Sequence, residues 1–226
     1  HNQLLIGLSD GSLHLIDTAQ KAELKYLKAH QSAVFALAAN PLLDQRYSAD
    51  ADGNVLVWDA AWNLMLTLPL ACGKIRQITV APDGTYFVVA GADGYYRKIE
   101  TTFFNETQQV YAHHEGCTAL CLLPNGGILS AGKDAHIRRW NVAGEKQNAF
   151  PAHLGTIYQL LQLPNGQYVS ASRDKTIKIW DAATQQIIQK IEVSGRAHLH
   201  SVNAVQVYQD KFISAGDDKR IHVWTK

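Results

Sequence analysis

Short apolar runs separated by polar turns follow one another along the whole chain, a pattern typical of β-strands. Runs such as AVFALAA (33–39) and TIYQLLQL (156–163) are apolar almost without alternation, as expected for strands covered on both faces. Between the runs lie Asp-Gly, Asn-Gly and Asp-Lys pairs, which favour tight turns. No helical pattern, linker or low-complexity segment interrupts this arrangement. The chain is therefore predicted to be all-β.

Four strands can be assigned within one stretch of the chain, residues 155–192. The predicted strands, named a to d in chain order, cover 155–163, 167–172, 176–181 and 186–192. The sequences LPNG and SRDK supply the turns between a and b and between b and c. This stretch predicts a four-stranded antiparallel sheet.

The stretch YVSASRDKTIKIWD (168–181) has relatives throughout the chain. The clear ones cover 46–59, 127–141 and 211–224, and the weaker ones cover 4–17 and 86–100. Their anchor residues are separated by 42, 41, 41, 40 and 44 positions and are Ile16, Trp58, Ile99, Trp140, Trp180 and Trp224. A period near 40 with Asp-Gly or Asp-Lys turns before a Trp-Asp ending resembles the WD40 repeat.

The resemblance to WD40 β-propellers, including bacterial single-domain WD40 proteins, covers the whole chain. It implies a β-propeller of four-stranded antiparallel blades, about six of them present, in a single domain spanning 1–226. The repeats would end near Asp17, Asp59, Glu100, Asn141, Asp181 and Trp224.

The two ends of the repeat pattern are irregular. His1 aligns with the turn between strands a and b, and Lys226 follows a strand c. We therefore expect three strands in the first blade, four in each of the next four and three in the last. The hypothesis is a fragment of a longer propeller, most plausibly seven-bladed and alternatively six-bladed. Such a fragment could associate through its open blade edges.

A serine, a histidine and an aspartate recur together and first suggest a catalytic triad. In four repeats a serine lies ten residues before the tryptophan, an aspartate six before it, and a histidine just before strand a. The four predicted tetrads are His30, Ser48, Asp52 and Trp58; His113, Ser130, Asp134 and Trp140; His153, Ser170, Asp174 and Trp180; His198, Ser214, Asp218 and Trp224.

Four registered copies favour architecture over catalysis. The Trp N–H can donate to Ser, Ser to His, and His to Asp, so that every member of a buried chain is satisfied. The other two repeats lack the set as a block. In the third, Ala71, Val89 and Ile99 stand at the His, Ser and Trp positions, and only the aspartate, Asp93, is kept. In the first, Ile6 and Ile16 replace Ser and Trp. By resemblance too, WD40 proteins use this tetrad for blade stability.

The resemblance implies that partners bind on the face that carries the d–a and b–c loops. One candidate set follows the first apolar residue of each strand a: Phe35, Arg76, Thr118, Tyr158 and Asn203. The other precedes each turn aspartate: Ser9, Ala51, Ala92, Lys133, Arg173 and Asp217. The aromatics could anchor a partner, and the cations at Arg76, Lys133 and Arg173 could pair with a carboxylate or phosphate.

Composition and charge exclude several function classes. Charged residues are only 18% and the net charge is +1 without a basic run, so no nucleic acid is expected as a partner. No apolar stretch of about 18 residues exists, so no membrane association is expected. Cys72, Cys117 and Cys121 form no Cys-x-x-Cys pair and suggest a reducing compartment, taken as the cytoplasm. His114 and His200 lack converging ligands, so neither a metal nor another cofactor is expected.

These observations predict a non-enzymatic scaffold that binds a protein or peptide. The alternative is a hydrolase-like enzyme with its site in the central channel. That alternative needs converging ionisable groups, and the two candidate sets offer Arg, Lys and one Asp without His or Glu.

Overall fold

The computed structural model describes residues 3–163, 166–192, 198–208 and 211–224. Within these residues the chain forms twenty-two strands in six antiparallel sheets, and no helix that could span a membrane is present. The first and last sheets have three strands and the other four have four, which confirms the predicted all-β fold class. Strands neighbouring in sequence pair within every sheet, because the turns between them are short.

The strand bounds follow the predicted repeat. The first sheet contains β1 (Gln3–Gly7), β2 (Ser12–Asp17) and β3 (Ala22–Lys28). The second contains β4 (Val34–Asn40), β5 (Gln45–Asp50), β6 (Asn54–Trp58) and β7 (Leu64–Pro69). The third contains β8 (Ile75–Val80), β9 (Tyr86–Gly91), β10 (Tyr95–Glu100) and β11 (Glu106–Tyr111).

The remaining three sheets repeat this order. The fourth contains β12 (Cys117–Leu122), β13 (Ile128–Gly132), β14 (His136–Trp140) and β15 (Lys146–Pro151). The fifth contains β16 (Ile157–Gln162), β17 (Tyr168–Ser172), β18 (Ile177–Trp180) and β19 (Ile187–Ile191). The sixth contains β20 (Val202–Tyr208), β21 (Lys211–Gly216) and β22 (Ile221–Trp224).

The chain divides into two compact units. The N-terminal unit comprises residues 1–93 and 97–107, and the C-terminal unit comprises 94–96 and 108–226. That residues 1–226 form a single domain stays a prediction.

Two apolar clusters are buried among the described residues of the N-terminal unit. One includes Leu13, Leu56 and Trp58, and the other is built on Tyr47, Phe87, Val89 and Ile99. The rings of Tyr47 and Phe87 lie 4.6 Å apart. The first cluster joins the first and second sheets, and the other joins the second and third sheets. This packing between neighbouring sheets explains why the strands are apolar on both faces.

Apolar clusters are also buried in the described part of the C-terminal unit. One joins the fourth and fifth sheets through residues such as Leu129, Ile137, Leu160 and Trp180. The other joins the fifth and sixth sheets through Val169, Ile177, Val202, Val205 and Phe212. The cysteines Cys117 and Cys121 on β12 are buried, as small core residues.

A β-bulge lies near the start of the first strand of five sheets. In the second sheet the register shifts between Val34 and Ala36, and in the fifth it shifts between Ile157 and Gln159. The third, fourth and sixth sheets shift in the same way, and the residues at which the five registers shift are Phe35, Arg76, Thr118, Tyr158 and Asn203. Bulges redirect side chains, and these five residues are the predicted strand-a contact positions.

Candidate functional site

The fifth sheet shows the Ser, His, Asp and Trp side chains as one hydrogen-bonded chain. The Trp180 Nε1–H donates to Ser170 Oγ at 2.8 Å, and Ser170 Oγ lies 2.6 Å from His153 Nε2. The Nδ1 atom of His153 is 2.9 Å from Asp174 Oδ2. The chain ties β17 and β18 to the loop that precedes β16.

Three other sheets contain the same connection. The distances from the tryptophan Nε1 to the serine Oγ are 2.9, 2.8 and 2.7 Å for Trp58, Trp140 and Trp224. The distances from the same serine Oγ to the histidine Nε2 are 2.7, 2.7 and 2.8 Å for His30, His113 and His198. The carboxylates of Asp134 and Asp218 each lie 2.9 Å from the histidine Nδ1.

The second sheet departs from the predicted set. His30 Nδ1 contacts Asp50 Oδ2 at 2.9 Å, so the prediction of Asp52 at this place was wrong. Asp50 stands two residues after Ser48, where the other repeats have Gly132, Ser172 or Gly216, and its side chain reaches His30 directly. It also accepts the N–H groups of Asp52 and Asn54, so one carboxylate both caps the turn and binds the histidine.

In the fourth and fifth sheets the electrostatics favour a neutral histidine beside an ionised aspartate. Burial lowers the pKa of His113 and of His153, although the neighbouring carboxylates oppose that shift. Burial alone would raise the pKa of Asp134 and Asp174, but hydrogen bonds from the histidines hold both well below the usual value. The neutral imidazole therefore donates through Nδ1 and accepts the Ser hydroxyl at Nε2.

Burial separates these sets from a working triad. Ser48, Ser130 and Ser170 are 0% exposed and Ser214 is 1% exposed, so no carbonyl substrate can reach their hydroxyls. Each hydroxyl already accepts the tryptophan N–H, a partner that a nucleophilic serine does not need.

The third sheet fills the same space differently. Cys72, 1% exposed, takes the place of the histidine, since Cys72 Cβ lies 3.0 Å from a Cβ built on Gly91, as His113 Cβ lies near Gly132. The expected equivalent, Ala71, is exposed one residue earlier. Burial raises the pKa of the Cys72 thiol to about 11, so it stays protonated.

The turn aspartate of the third sheet has a different partner. Asp93 Oδ1 accepts a hydrogen bond from Arg97 Nη1 at 3.2 Å, and Arg97 also lies 3.5 Å from Glu106. The turn aspartate, which bonds a histidine in the fourth, fifth and sixth sheets, is thus bonded in the third sheet by the guanidinium of Arg97 on β10.

The predicted contact residues of the N-terminal unit form a small cationic and aromatic group. Phe35 is 40% exposed, the ammonium of Lys74 lies 4.2 Å from the centre of its ring, and the guanidinium of Arg76 lies 5.5 Å from it. Arg76 is exposed. Lys74 was not predicted from the sequence, because only the tertiary structure brings it over the ring. Of the other predicted contact residues of this unit, Ser9 and Ala92 are exposed and Ala51 is half-buried.

The contact residues of the C-terminal unit have different exposures. Lys133 and Arg173 are exposed and Tyr158 is half-buried. Asn203 and Asp217 are exposed and bonded to each other through the Asn203 side-chain amide and the Asp217 carboxylate.

Thr118 does not belong to an exposed surface, and its prediction as a contact residue was wrong. It is 3% exposed, and its hydroxyl donates to the carbonyl of Ile157 at 2.5 Å. A small side chain at the bulge can turn inward and bond the next sheet, whereas Phe35 or Arg76 is too large to do so.

One exposed apolar residue of the C-terminal unit was also missed. Leu154 is 96% exposed and directly follows His153, and its N–H donates to Asp174 Oδ2 at 2.9 Å. The tetrad therefore holds the backbone of Leu154 in place while its side chain stays in solvent. In the sequence, its position directly after a histidine of the repeat could have identified it as a loop residue held by the tetrad.

The N-terminal unit has a cavity of about 550 Å³ lined by apolar residues such as Leu5, Leu15 and Leu37 together with Trp62 and Arg46. The Arg46 guanidinium lies 5.3 Å from the Trp62 ring centre. Arg46 is the single ionisable side chain in the described lining, so the cavity offers no acid-base pair.

One group in the C-terminal unit has metal-ligand character. His198, Asp218 and His222 place ligand atoms within 4.8 Å of one another. His222 was not singled out from the sequence, and the two histidines considered there, His114 and His200, are exposed.

Comparison with known proteins places these observations in a family. The family "WD domain, G-beta repeat" matches residues 21–59, 105–141 and 144–181, just over half of the chain. "Telomerase protein component 1" of Mus musculus is 25% identical over 158 residues, 66% of this chain and 6% of the relative. "Ubiquitin fusion degradation protein 3 homolog" of Caenorhabditis elegans is 26% identical over 151 residues, 62% of this chain and 17% of the relative. The chain thus spans a small part of the length of these relatives.

Proposed function

The chain belongs to the WD40-repeat family of β-propeller proteins, and from that premise we propose that it is a non-enzymatic scaffold that binds an acidic peptide or protein segment. The observation that carries the proposal is the pair of cations beside the exposed Phe35 ring, at 4.2 Å for Lys74 and 5.5 Å for Arg76. An aromatic side chain next to two cations can bury an apolar residue of a ligand and pair with a neighbouring carboxylate.

The loops of the C-terminal unit support a binding role independently. Lys133 and Arg173 are exposed, and Leu154 presents an apolar side chain from an anchored backbone. An exposed Leu held this way loses little backbone freedom on binding, which favours association. Binding through Tyr158, Asn203 and Asp217 is part of the same proposal, with Asn203 and Asp217 acting as one bonded pair.

The chemistry of the buried tetrads supports a non-enzymatic role. The serines that resemble nucleophiles are shielded, and their histidines are engaged on both nitrogens. The relatives are much longer proteins, and one of them is named as a protein component, which agrees with a binding role. The three cysteines are buried, and the use of cysteine as a small core residue supports a reducing compartment such as the cytoplasm.

A peptide selection tests the proposal. The immobilised chain selects peptides from a displayed random library, and a selected synthetic peptide is titrated by calorimetry against three double variants. The variants are Lys74→Glu with Arg76→Glu in the N-terminal unit, Lys133→Glu with Arg173→Glu in the C-terminal unit, and Lys21→Glu with Lys146→Glu as an equal charge change at other exposed positions.

We expect the selected peptides to be rich in Asp and Glu, and the Lys74/Arg76 variant to bind at least about tenfold more weakly, a loss of about 1.4 kcal/mol. Its melting temperature and the affinity of the Lys21/Lys146 variant should stay unchanged. Loss only in the Lys133/Arg173 variant would move the site to the C-terminal unit. Peptides without carboxylates, or equal affinity in all variants, would refute the proposal.

A further inference from the structure

The residue four positions after the turn aspartate faces the His–Asp pair in the sheets of the C-terminal unit. In the fourth sheet this residue is Arg138, whose Nη1 lies 2.6 Å from Asp134 Oδ2. In the fifth it is Lys178, whose ammonium donates to the carbonyl of Ala152 at 2.5 Å. Lys178 also interacts electrostatically with Asp174, so both sheets place a positive charge on strand c near a half-buried carboxylate.

The sixth sheet has a histidine at this position. His222 lies on β22, and its ring centre is 4.5 Å from that of His198 and 5.4 Å from that of Trp224. Its Nε2 atom is buried and has no hydrogen-bond partner among the described residues. A buried nitrogen without a hydrogen-bond partner is unfavourable, because it has lost its contact with water, so such an atom calls for an explanation.

From these observations we propose that His198, Asp218 and His222 bind one divalent transition-metal ion of the zinc class. Two imidazoles and one carboxylate are ligands that zinc takes in proteins, with water completing a four-coordinate shell. The ion would supply at the sixth sheet the positive charge that Arg138 and Lys178 supply in the fourth and fifth.

The distances are compatible with such an ion. The ligand atoms lie within 4.8 Å of one another, and His198 Nδ1 is already 2.9 Å from Asp218 Oδ1. Metal-to-ligand bonds of about 2.0 to 2.2 Å place tetrahedral ligands about 3.3 Å apart. Binding thus needs a movement of His222 toward a preformed pair.

The groups around the three ligands already hold two of them. Ser214 Oγ lies 2.8 Å from His198 Nε2, and the N–H groups of Leu199 and Arg220 donate to the two oxygens of Asp218 at 3.0 and 3.2 Å. Hydrogen bonds of this kind orient ligands and set the tautomer of a metal-bound histidine. With a metal on Nδ1, the imidazole proton moves to Nε2 and donates to Ser214, so no net proton is lost by His198.

Zinc chloride titrated calorimetrically into the chain tests the site, with the absorption spectrum of the cobalt(II) form as a second readout. The discriminating variant is His222→Lys, which copies Lys178 of the fifth sheet; His222→Gln serves if that variant does not fold. The matched control is His200→Ala, an exposed histidine two residues after His198.

We expect one zinc ion per chain with a dissociation constant in the micromolar range or below, and a cobalt spectrum typical of four-coordinate geometry. His222→Lys and His222→Gln should weaken zinc binding about a hundredfold, while His200→Ala should not. Zinc should raise the melting temperature of the wild type but not of the His222 variants. Absence of stoichiometric binding, or equal binding in the His222 variants, would overturn the proposal.

Discussion

The third and fifth sheets fill equivalent positions in two different ways. In the fifth, His153, Ser170 and Trp180 form a buried polar chain that ends on Asp174. In the third, Val89 and Ile99, 0% and 1% exposed, stand at the Ser and Trp positions. The two sheets show that the repeat tolerates either a fully bonded polar chain or an apolar block.

The difference teaches that the members of the chain depend on one another. A serine hydroxyl buried among apolar side chains needs both the Trp donor and the His acceptor, and a histidine needs the aspartate. In the third sheet Asp93 turns to Arg97, because the histidine is replaced by the apolar Cys72. Partial sets would leave buried polar groups unsatisfied, which explains exchange as a block.

The largest expected effect is the loss of the aromatic member of the fifth sheet. Trp180 stacks on Tyr168 at 6.0 Å and lies 5.2 Å from Phe150, so Trp180→Ala removes packing as well as a hydrogen bond. We expect the free energy of unfolding to fall by about 3 to 5 kcal/mol in urea titrations. Ile99→Val, at the equivalent position of the third sheet, should cost only about 0.5 to 1.5 kcal/mol. A loss below that of Ile99→Val would contradict this ranking.

A smaller effect is expected when the third sheet receives one polar member alone. Val89→Ser places a hydroxyl where Ile99 and Cys72 offer no equivalent of the Trp and His partners. We expect Val89→Ser to lose about 1 to 3 kcal/mol more than Val89→Ala, the matched control that removes similar volume without a hydroxyl. Equal unfolding free energies of the two variants would show that the hydroxyl finds a partner there.

The smallest effect is a pH dependence that comes from the buried histidines of the fourth and fifth sheets and has no counterpart at Cys72 of the third sheet. The pKa values of His113 and His153 are lowered by burial, so below about pH 6.5 the unfolded chain binds more protons than the folded chain. The free energy of unfolding should therefore fall on acidification from pH 7.5 to 5.5, by at most about 1.4 kcal/mol per histidine. The lowered pKa values of Asp134 and Asp174 should add a further loss below about pH 4.

Urea titrations of three chains at both pH values check this dependence. The double variant His153→Leu with Ser170→Val, which imitates the third sheet, should show a shallower dependence than the wild type. The exposed His200→Gln should keep the dependence of the wild type. A double variant with an unchanged slope would assign the dependence to other groups.

Much of the fold was predictable because the repeat carries it. The period near 40 residues and the ten-residue spacing of Ser170 and Trp180 depend on strand and turn lengths, which are local. The observed strands β16 to β19 fall inside the predicted segments, shortened by one or two residues at their ends. Strand ends depend on the last hydrogen bonds of each ladder, which the residue pattern does not encode.

The candidate site was less predictable, because it depends on distances between side chains that the repeat alignment treats as equivalent. The alignment pointed to Asp52 and Ala71, whereas Asp50 and Cys72 occupy the space in question. A shift of one or two residues moves a side chain by several ångströms, enough to make or break a hydrogen bond.

The sequence by itself determined the all-β repeat, the family and the block exchange between polar and apolar sets, since these follow from local spacing and from the cost of burying unpaired polar groups. The tertiary structure decided which side chains meet. It turned Thr118 inward to the carbonyl of Ile157, brought Lys74 over Phe35 and set His222 beside His198 and Asp218. These contacts join residues on different strands and loops, and their geometry depends on bulges and on packing between the strands.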